Sequence, residues 1–468
     1  MTELPSSLRG RVLVAGAGVS GRGCVAMLAS LGVDTTVADS NQTALAELAE
    51  EYGVATVSVD SAAQGDFDLV VTSPGWRPDS PLLVALQDAG VEVIGDVELA
   101  YRLDRAGVFG APRTWLVVTG TNGKTTTTGM LAQIMQADAQ RTGKRALAVG
   151  NIGVSLFDAL TATPRVDVLC AELSSFQLHW SSHVRPDVGV LLNLADDHLD
   201  WHGSFDAYAR AKAKVLSGEV AVVGKDDAEA VHYAADTADL FGFTAAEPIQ
   251  GEVGVSAGRL VSRLNEQRED LASAEGIEPA GLAGVLDAAA AASVARLAGA
   301  TPESIAQGLA VYTVAGHRGA VVHEHSGITF IDNSKATNPH AADAALKGLN
   351  SVVWVAGGQL KGAEVDGLVA KHAAQIKAAV VMGVDREEIA HALAEHAPHA
   401  PVDVIESSEP SAAMNAAVRA ALQHAEAGDT VLLAPAAASL DMYTGMAQRG
   451  DFFAAAAREL TPQIELEN

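Results

Sequence analysis

Cysteine is scarce in this sequence, and its scarcity excludes two kinds of site. Only Cys24 and Cys170 are present among 468 residues. Two cysteines cannot build a disulfide framework or a cysteine-ligated zinc site. We therefore expect a reducing compartment, and the cytoplasm is the predicted location.

Positive charge is also in short supply. The chain has 31 Lys and Arg against 58 Asp and Glu, which gives a formal net charge of −27 at pH 7. Nucleic acids and anionic membrane surfaces both require a basic face, so binding to either is not expected. A small anionic substrate stays compatible with this charge, because a few local cations can dominate one pocket.

Long apolar runs are missing as well. The run at residues 12–15 is short and leads directly into glycines, so no signal peptide is predicted. The alanine-rich residues 288–300 include Arg296, and the sequence has no stretch of about 18 uncharged apolar residues. We therefore expect no membrane insertion.

What the sequence does contain is a regular alternation of short β-branched runs and longer helical patterns. This alternation is typical of βαβ units with parallel sheets. A chain of 468 residues suggests about three domains. We predict three consecutive α/β domains, over residues 1–110, 111–315 and 316–468. The glycines and proline of residues 104–113 predict a linker between the first two.

The predicted strands are short and well separated. They lie at residues 11–15, 35–38, 68–72, 115–119, 166–171, 187–192, 328–331, 351–355, 379–382, 402–405 and 430–433. Residues 251–264 predict a small antiparallel piece, and helices are predicted at residues 126–135, 205–216, 385–395 and 411–425.

A glycine-rich loop between a predicted strand and helix is the strongest local signal. It reads Gly120-Thr121-Asn122-Gly123-Lys124-Thr125-Thr126. Glycines let backbone N–H groups approach phosphates, and the helix N-terminus favours their negative charge. Lys124 can then reach the terminal phosphates and the Thr125 hydroxyl can bind Mg²⁺. Val118 stands where a strict Walker A pattern has glycine, so we predict a P-loop-type mononucleotide-binding domain.

Two polar segments follow predicted strands of the central domain. They read Glu172-Leu173-Ser174-Ser175-Phe176-Gln177 and Asn193-Leu194-Ala195-Asp196-Asp197-His198-Leu199-Asp200. Side chains at the carboxyl ends of strands in an open α/β sheet face the ligand crevice. A solvated or capping role stays open for Glu172, and His198 alone fits a structural or exposed role better. Lys212, like Lys214, fits a solvated helix face.

Four polar loops of the third domain predict an anion site. They contain Gly316-His317-Arg318-Gly319, Asp332-Asn333-Ser334-Lys335-Ala336-Thr337-Asn338, Gly357-Gly358-Gln359-Leu360-Lys361-Gly362 and Ala434-Pro435-Ala436-Ala437-Ala438-Ser439-Leu440-Asp441. All four are expected at the carboxyl ends of strands, so they should share one rim. Each of the lysines, taken singly, also fits an exposed side chain without a function.

The first domain carries a glycine pattern of its own. The residues Gly16-Ala17-Gly18-Val19-Ser20-Gly21 match G-x-G-x-x-G after a strand, with Asp39 near the expected distance. This predicts a Rossmann-like domain. A dinucleotide, a nucleotide sugar with a pyrophosphate, or a tight turn without a ligand would each fit the pattern.

Together these segments resemble the Mur ligase family across nearly the whole chain. The shared motifs are matched in order by residues 120–126, 172–177, Asn193 with residues 197–200, and 317–318, and residues 334–338 and 439–441 resemble the D-glutamate-adding branch. The resemblance implies an ATP-dependent amide-bond ligase of peptidoglycan precursor synthesis. It would join D-glutamate to UDP-N-acetylmuramoyl-L-alanine through an acyl phosphate, as a monomer, with ATP and two Mg²⁺ ions.

The resemblance also implies which residues hold the UDP-muramoyl substrate. The first domain is a nucleotide-sugar domain in that family. The residues matched to the uridine, the diphosphate and the muramoyl-alanine part are Gly18, Val19, Ser20, Asp39, Ser40, Ser73, Pro74, Gly75, Asn151 and Ser174.

The nucleotide, metal and amino-acid sites are implied in the same way. ATP is matched to Gly120, Thr121, Asn122, Gly123, Lys124, Thr125, Thr126, Arg318 and Asn333, and Mg²⁺ to Thr125, Glu172, His198 and Lys212. Lys212, four residues after Tyr208, corresponds to a carbamylated lysine. The catalytic set is Lys124, His198, Lys212, Arg318 and Lys335, and the D-glutamate pocket is Thr337, Lys361, Ser439 and Leu440 in a C-terminal domain expected to close over ATP.

Three positions depart from the family pattern. An adenine-contacting His-Asn-x-x-Asn is usual near the end of the central domain, where this chain has Ala283-Gly284-Val285-Leu286-Asp287. Asn333 stands where aspartate is common, with Asp332 adjacent, and Met446 stands where an aromatic residue often lines the glutamate pocket.

Other functions remain as alternatives. A folylpolyglutamate synthase is disfavoured by the N-terminal glycine loop, and a different muramoyl-peptide ligase by residues 334–338. A nicotinamide-dependent oxidoreductase built on residues 16–21 would leave the Lys124 loop unexplained. A catalytically inactive nucleotide-binding regulator is the third alternative.

Overall fold

The computed structural model describes residues 4–314 and 316–464. Within these ranges the strands form three sheets, of five, nine and six strands. Most neighbouring strands run parallel, so the predicted three-domain α/β architecture is confirmed. Among the described residues no helix combines the length and the apolar character needed to cross a membrane.

The first sheet belongs to the N-terminal domain. Its elements are β1 (Val12–Ala15), α1 (Val19–Ser30), β2 (Thr35–Ala38), α2 (Gln42–Tyr52), β3 (Ala55–Val57), α3 (Val59–Ala62), β4 (Leu69–Thr72), α4 (Pro81–Asp88), β5 (Glu92–Gly95) and α5 (Asp96–Arg105). The strand order is β3-β2-β1-β4-β5, and all pairs are parallel. Because β1 lies between β2 and β4, the loops that follow these three strands meet at one edge.

The second sheet belongs to the central domain. Its elements are β6 (Thr114–Thr119), α6 (Lys124–Thr142), β7 (Ala146–Gly150), α7 (Leu156–Thr161), β8 (Val168–Glu172), α8 (Ser175–His179), β9 (Val188–Leu191), α9 (Leu199–His202), α10 (Phe205–Ala213), β10 (Val220–Gly224), α11 (Ala228–Tyr233), β11 (Leu240–Phe243), β12 (Glu252–Ser256), β13 (Arg259–Ser262), β14 (Glu269–Ser273), α12 (Leu282–Leu297) and α13 (Pro302–Val311). The order is β14-β13-β12-β11-β10-β9-β6-β8-β7. The predicted antiparallel piece is present as β12 and β13, and β14 extends it.

The third sheet belongs to the C-terminal domain. Its elements are β15 (Ala320–His325), β16 (Ile328–Asp332), α14 (Pro339–Leu346), β17 (Val352–Gly357), α15 (Asp366–His372), β18 (Ile376–Met382), α16 (Arg386–His396), β19 (Val402–Val404), α17 (Pro410–His424), β20 (Thr430–Leu433) and α18 (Met446–Ile464). The order is β15-β16-β20-β17-β18-β19. Only β15 among these strands runs antiparallel to its neighbour, with Ala320 opposite Asp332.

The cores divide the described residues into two compact units. One contains the first two sheets (the chain up to Ser273, with Asp287–Val311), and the other contains the third sheet with Ala274–Leu286. The first two sheets share one hydrophobic cluster, to which Leu103 and Trp115 both belong. In the other unit, two apolar clusters pack on the faces of the third sheet.

The predicted linker at residues 104–113 is buried at both ends. Asp104 and Arg113 are 1% and 2% exposed. Arg113 Nη1 donates to Asp104 Oδ1 at 2.7 Å, and Trp115 Nε1 donates to Asp104 Oδ2 at 2.9 Å. This segment therefore fixes the N-terminal domain to the central one and is not a free spacer.

Candidate active site

The glycine-rich loop lies between β6 and α6, as predicted. Lys124 is the first residue of α6, and its Nζ donates to the carbonyls of Gly120 at 2.9 Å and Thr121 at 2.8 Å. Gly123 has φ +81, and a Cβ there would lie 2.2 Å from Asp287 Oδ1. The close approach and the left-handed backbone both require glycine at this position.

Two neighbours hold this loop in place. Asn193 Oδ1 accepts from the backbone N–H of Asn122 at 2.8 Å. The hydroxyl groups of Thr121 and Tyr208 lie 2.7 Å apart, and Tyr208 is fully buried. Tyr208 therefore ties the loop to α10. From the sequence, Tyr208 was noted only as the residue four positions before Lys212, and this contact was not predicted.

Glu172 is the last residue of β8 and is 1% exposed. Its Oε2 accepts from Thr125 Oγ1 at 2.7 Å, and its Oε1 accepts from Asn151 Nδ2 at 2.8 Å. The solvated alternative for Glu172 is therefore wrong. The strand end brings a buried carboxylate against the hydroxyl of Thr125, next to the glycine-rich loop.

His198 lies at the start of α9 in a left-handed conformation, with φ +53. Its side chain is about half exposed, its Nε2 lies 3.5 Å from Asp197 Oδ2, and its ring centroid is 4.6 Å from that of Phe176. A non-glycine residue in this region of backbone space is uncommon and often marks a functional site.

Lys212 is 2% exposed, so the expectation of a solvated helix face is wrong. Its Nζ donates to the Gly120 carbonyl at 2.6 Å and lies 5.0 Å from the centre of the Tyr208 ring. Burial, with Lys124 nearby, holds the pKa of Lys212 well below that of an ordinary lysine. Its amine is therefore far more readily neutral than a surface amine.

Lys214 was expected to be equally solvated, and this is also wrong. Its Nζ donates to the carbonyls of Leu178 at 3.0 Å and His179 at 2.7 Å. Burial lowers the pKa of Lys214 too. The last turn of α10 and the turn that follows it therefore place Lys212 and Lys214, respectively, against backbone carbonyls, and Lys214 anchors the end of α8.

The N-terminal loops meet at the carboxyl edge of the first sheet. Gly16 has φ +109, and a Cβ on Gly21 would lie 1.8 Å from the Gly16 carbonyl, so the turn into α1 is tight. Asp39 Oδ2 accepts from Ala17 N at 2.6 Å and thereby joins the ends of β1 and β2. Val19 is 95% exposed, and Ser40 is exposed beside Asp39.

One cavity of about 660 Å³ unites these loops with the central domain. Among the residues singled out from the sequence, its walls contain Gly18, Val19, Ser20, Asp39, Ser73, Pro74, Gly75, Lys124, Asn151, Ser174, His198 and Lys212. Trp76, Asp96 and Phe157 also line it and were missed, because their sequence context resembles that of ordinary loop and helix residues. Burial raises the pKa of Asp96 to about 6.

The third-domain loops also lie together at one edge of their sheet. Gln359 and Ala438 exchange backbone hydrogen bonds of 2.8 Å, and Asn333 N donates to Leu433 O at 2.8 Å. This joins the loops that carry Thr337, Lys361, Ser439 and Leu440. Ser439 is 3% exposed, whereas Leu440 is 64% exposed.

The segment with His317 and Arg318 precedes β15 and does not follow a parallel strand, which corrects one expectation. It reaches the same edge because β15 is antiparallel to β16. His317 Nδ1 lies 2.6 Å from Asp332 Oδ2, and the His317 carbonyl accepts from Lys335 N at 3.0 Å. Arg318 and Lys335 thus belong to one hydrogen-bonded corner.

The sequence matches known proteins along nearly its whole length. Three family regions are found: "Mur ligase MurD-like, N-terminal domain" at residues 10–95, "Mur ligase middle domain" at residues 118–250 and "Mur ligase, glutamate ligase domain" at residues 317–437. The UDP-N-acetylmuramoylalanine--D-glutamate ligase of Corynebacterium diphtheriae is 58% identical over 458 residues, 96% of each chain. That of Corynebacterium efficiens is 57% identical and covers 97% of this chain and 96% of its own. The chain belongs to the Mur ligase family.

Solved Mur ligase structures share this fold at low sequence identity. The pseudomurein peptide ligase type C of Methanothermus fervidus is 17% identical with a TM-score of 0.56, covering 97% of this chain and all of its own. The UDP-N-acetylmuramate-alanine ligase MurC of Thermotoga maritima is 17% identical with a TM-score of 0.52, covering 98% and 100%.

Mur ligases use ATP and Mg²⁺, and the residues present fit that requirement. Mg²⁺ prefers hard oxygen ligands. Thr125 and Glu172 supply a hydroxyl and a carboxylate at hydrogen-bond distance next to the phosphate-binding loop. Asp287, in the segment that departs from the Mur ligase adenine pattern, accepts from Thr127 Oγ1 at 3.1 Å and packs against this loop.

Proposed function

We propose that this Mur ligase joins D-glutamate to UDP-N-acetylmuramoyl-L-alanine in peptidoglycan precursor synthesis, as a monomer in the cytoplasm. The cavity that unites the N-terminal nucleotide-type loops with Lys124, His198 and Lys212 carries this proposal. A substrate with a UDP group at one end and a reacting carboxylate at the other would fit such a cavity. The names of the relatives from Corynebacterium support the same reaction.

The first domain would hold the UDP part of the substrate. The N-terminus of α1, with Gly18, Val19 and Ser20, favours a diphosphate, while Asp39 and the Ser73-Pro74-Gly75 turn would contact the uridine. Ser40 is next to Asp39 but is not part of the cavity wall, and we propose that it also contacts the uridine. Asn151 and Ser174 line the path to the central domain and would contact the muramoyl-alanine part.

The chemistry requires an activated carboxyl group. The alanyl carboxylate oxygen attacks the terminal phosphorus of ATP, ADP leaves, and an acyl phosphate results. The uncharged amine of D-glutamate then attacks the acyl carbon, phosphate leaves, and one amine proton passes to solvent. Lys124 and Arg318 would neutralise the anions that approach one another, and residues 120–126 with Asn333 would bind ATP. Bound Mg²⁺ would offset the phosphate charge.

Lys212 would act as a carbamate. Its depressed pKa leaves the amine nitrogen available to attack CO₂, with loss of one proton. The product carries an anionic oxygen that can bind a metal ion, whereas the positive charge of an ammonium group would repel the metal ion. Thr125, Glu172 and His198 would complete the metal ligands, since Glu172 already accepts from Thr125.

The C-terminal rim would bind D-glutamate. Thr337, Lys361, Ser439 and Leu440 lie on loops joined at the carboxyl edge of the third sheet. Lys361 and Lys335 would pair with the carboxylates of the amino acid, because both lie on this edge in an otherwise acidic protein.

Phosphate release tests the function directly. We expect release from ATP and Mg²⁺ only when both UDP-N-acetylmuramoyl-L-alanine and D-glutamate are present. Lys124→Ala should reduce turnover by about 100-fold or more, because it removes the loop cation. Lys144→Ala, at an exposed lysine beyond the same helix, is the control and should keep normal turnover.

Other results would contradict the proposal. Release with another amino acid in place of D-glutamate would indicate a different muramoyl-peptide ligase. Reduction of NAD with no phosphate release would indicate an oxidoreductase.

A further inference from the structure

Arg449, near the start of α18, is a buried cation outside the predicted site residues. It is 1% exposed, and among the described residues no carboxylate lies within ion-pair distance of it. Burial lowers the pKa of Arg449 to about 10, so the guanidinium is still charged at neutral pH. Its direct hydrogen-bond partners are therefore oxygen dipoles, while Asp441 and Asp332 act on its charge from beyond ion-pair distance.

Its acceptors come from three different loops. Nε donates to Ser334 Oγ at 3.0 Å and Nη2 to the Ser334 carbonyl at 2.9 Å, in the loop after β16. Nη1 donates to the Gly357 carbonyl at the end of β17 and to the Ala437 carbonyl after β20, both at 3.1 Å. A planar guanidinium fixes the directions of its donors, so it sets the spacing of all three loops together.

Glycines allow close packing beside Arg449 and in the corner next to it. A Cβ on Gly358 would lie 3.2 Å from Arg449 Nη1 and 2.1 Å from the Ala438 carbonyl. A Cβ on Gly450 would lie 2.0 Å from His317 Nδ1 and 2.5 Å from Asp332 Oδ2. The start of α18 is thus packed directly on the corner that holds Lys335.

We propose that Arg449 is a positioning residue for the amino-acid substrate, because it holds together the three loops that carry Thr337, Lys361 and Ser439. The inference rests on the proposed D-glutamate site. Burying a charge without a carboxylate is costly, and an apolar side chain would fill the same volume without that cost. We infer that the guanidinium is present because its fixed donor directions set the spacing of the three loops. Its charge also adds positive potential at the edge proposed to bind an anion.

The test compares Arg449→Lys and Arg449→Met in the full-length protein. Lysine keeps the charge but cannot reach three loops with fixed geometry. We expect Arg449→Lys to raise the KM for D-glutamate about tenfold, with the KM for ATP changed by less than about twofold. Arg449→Met should raise the KM for D-glutamate further, since it also removes the charge.

A second buried arginine provides the control. Arg113 is 2% exposed and lies in the other unit, bonded to Asp104 and to two carbonyls. Arg113→Lys should lower the unfolding temperature and leave the KM for D-glutamate unchanged. This separates loss of stability from loss of substrate positioning.

The outcomes distinguish this inference from the proposed function. If Arg449→Lys ligates with an unchanged KM for D-glutamate, or raises the KM of every substrate equally, the inference alone is wrong. If Arg449→Met does not fold, the KM of the Arg449→Lys variant for D-glutamate tests the inference by itself. If the unmodified protein does not ligate D-glutamate at all, the proposed function is wrong and the inference falls with it.

Discussion

The surroundings of the Lys212 amine are set by its position in α10. Its amine is enclosed by the Gly120 carbonyl, the Thr119 hydroxyl and the Tyr208 ring. Desolvation disfavours the ammonium form, and the charge of Lys124 acts in the same direction. Asp197 and Glu172 oppose this shift only in part. The burial of Lys212 therefore favours an uncharged amine, which a lysine on the surface does not have.

We predict that Lys212→Ala leaves ATP binding nearly intact and lowers kcat by about 100-fold or more, because the charge at the metal site is lost. Nucleotide titration and steady-state kinetics measure the two effects. A small carboxylic acid in the buffer should restore part of the activity by replacing the carbamate.

The control for this variant must be chosen from the structure. Lys214 is unsuitable because it is hydrogen-bonded to two carbonyls. Arg210→Ala, on the same helix with a side chain 72% exposed, should be nearly silent. Equal turnover in the Lys212 and Arg210 variants would show that catalysis needs no carbamate at Lys212.

At the scale of elements, the loop after β17 is held from two sides. Leu360 N donates to Asp385 Oδ2 at 2.7 Å, and Gln359 pairs with Ala438. Lys361 then adopts a left-handed conformation with φ +56. Such a conformation costs energy in a non-glycine residue and persists only where neighbouring contacts enforce it.

This geometry makes Lys361 a candidate for direct contact with D-glutamate. Loss of a charge-assisted contact costs about 1.5–3 kcal/mol. Lys361→Ala should therefore raise the KM for D-glutamate by about tenfold or more. The KM for ATP should change little. Lys347→Ala, at another exposed lysine of the same domain, is the matched control. Equal increases for both substrates would place Lys361 elsewhere in the mechanism.

At the scale of the molecule, the N-terminal and central domains form one compact unit. Their shared hydrophobic cluster is reinforced by the buried Asp104–Arg113 pair. A second set of contacts joins Glu98 of α5 to the backbone of His183. The cavity that both domains line is therefore formed by parts of one compact unit.

We predict that Arg113→Met destabilises this unit by about 3–5 kcal/mol, because it leaves the Asp104 carboxylate buried without its partner. Chemical denaturation followed by circular dichroism measures the loss. Arg22→Met removes ion pairs with Glu47 and Glu51 in which all three side chains are substantially exposed, and it should cost about 1 kcal/mol or less. A similar loss of unfolding free energy in both variants would show that the burial of the Asp104–Arg113 pair does not determine its contribution to stability.

Much of this protein was predictable from local patterns. Strand runs rich in β-branched residues placed β2 and β20 at their observed bounds, since such side chains suit a buried, pleated surface. The glycine loop and the strand-end acid Glu172 were predictable because parallel strands deliver their carboxyl ends to one edge. Strands that were not predicted are β3, β5, β7, β10, β11, β14 and β15, and alanine-rich β7 lacks a strand composition.

Burial and long-range pairing were decided only by the tertiary structure. Lys212 and Lys214 look alike in sequence, and which carbonyl each amine meets depends on segments about 92 and 35 residues away along the chain. Arg449 carries no sequence signal, because its three acceptor loops come together only when β16, β20 and β17 pair. A pattern read along the chain reports periodicity and turn chemistry, whereas desolvation and hydrogen-bond partners depend on residues that are distant in sequence.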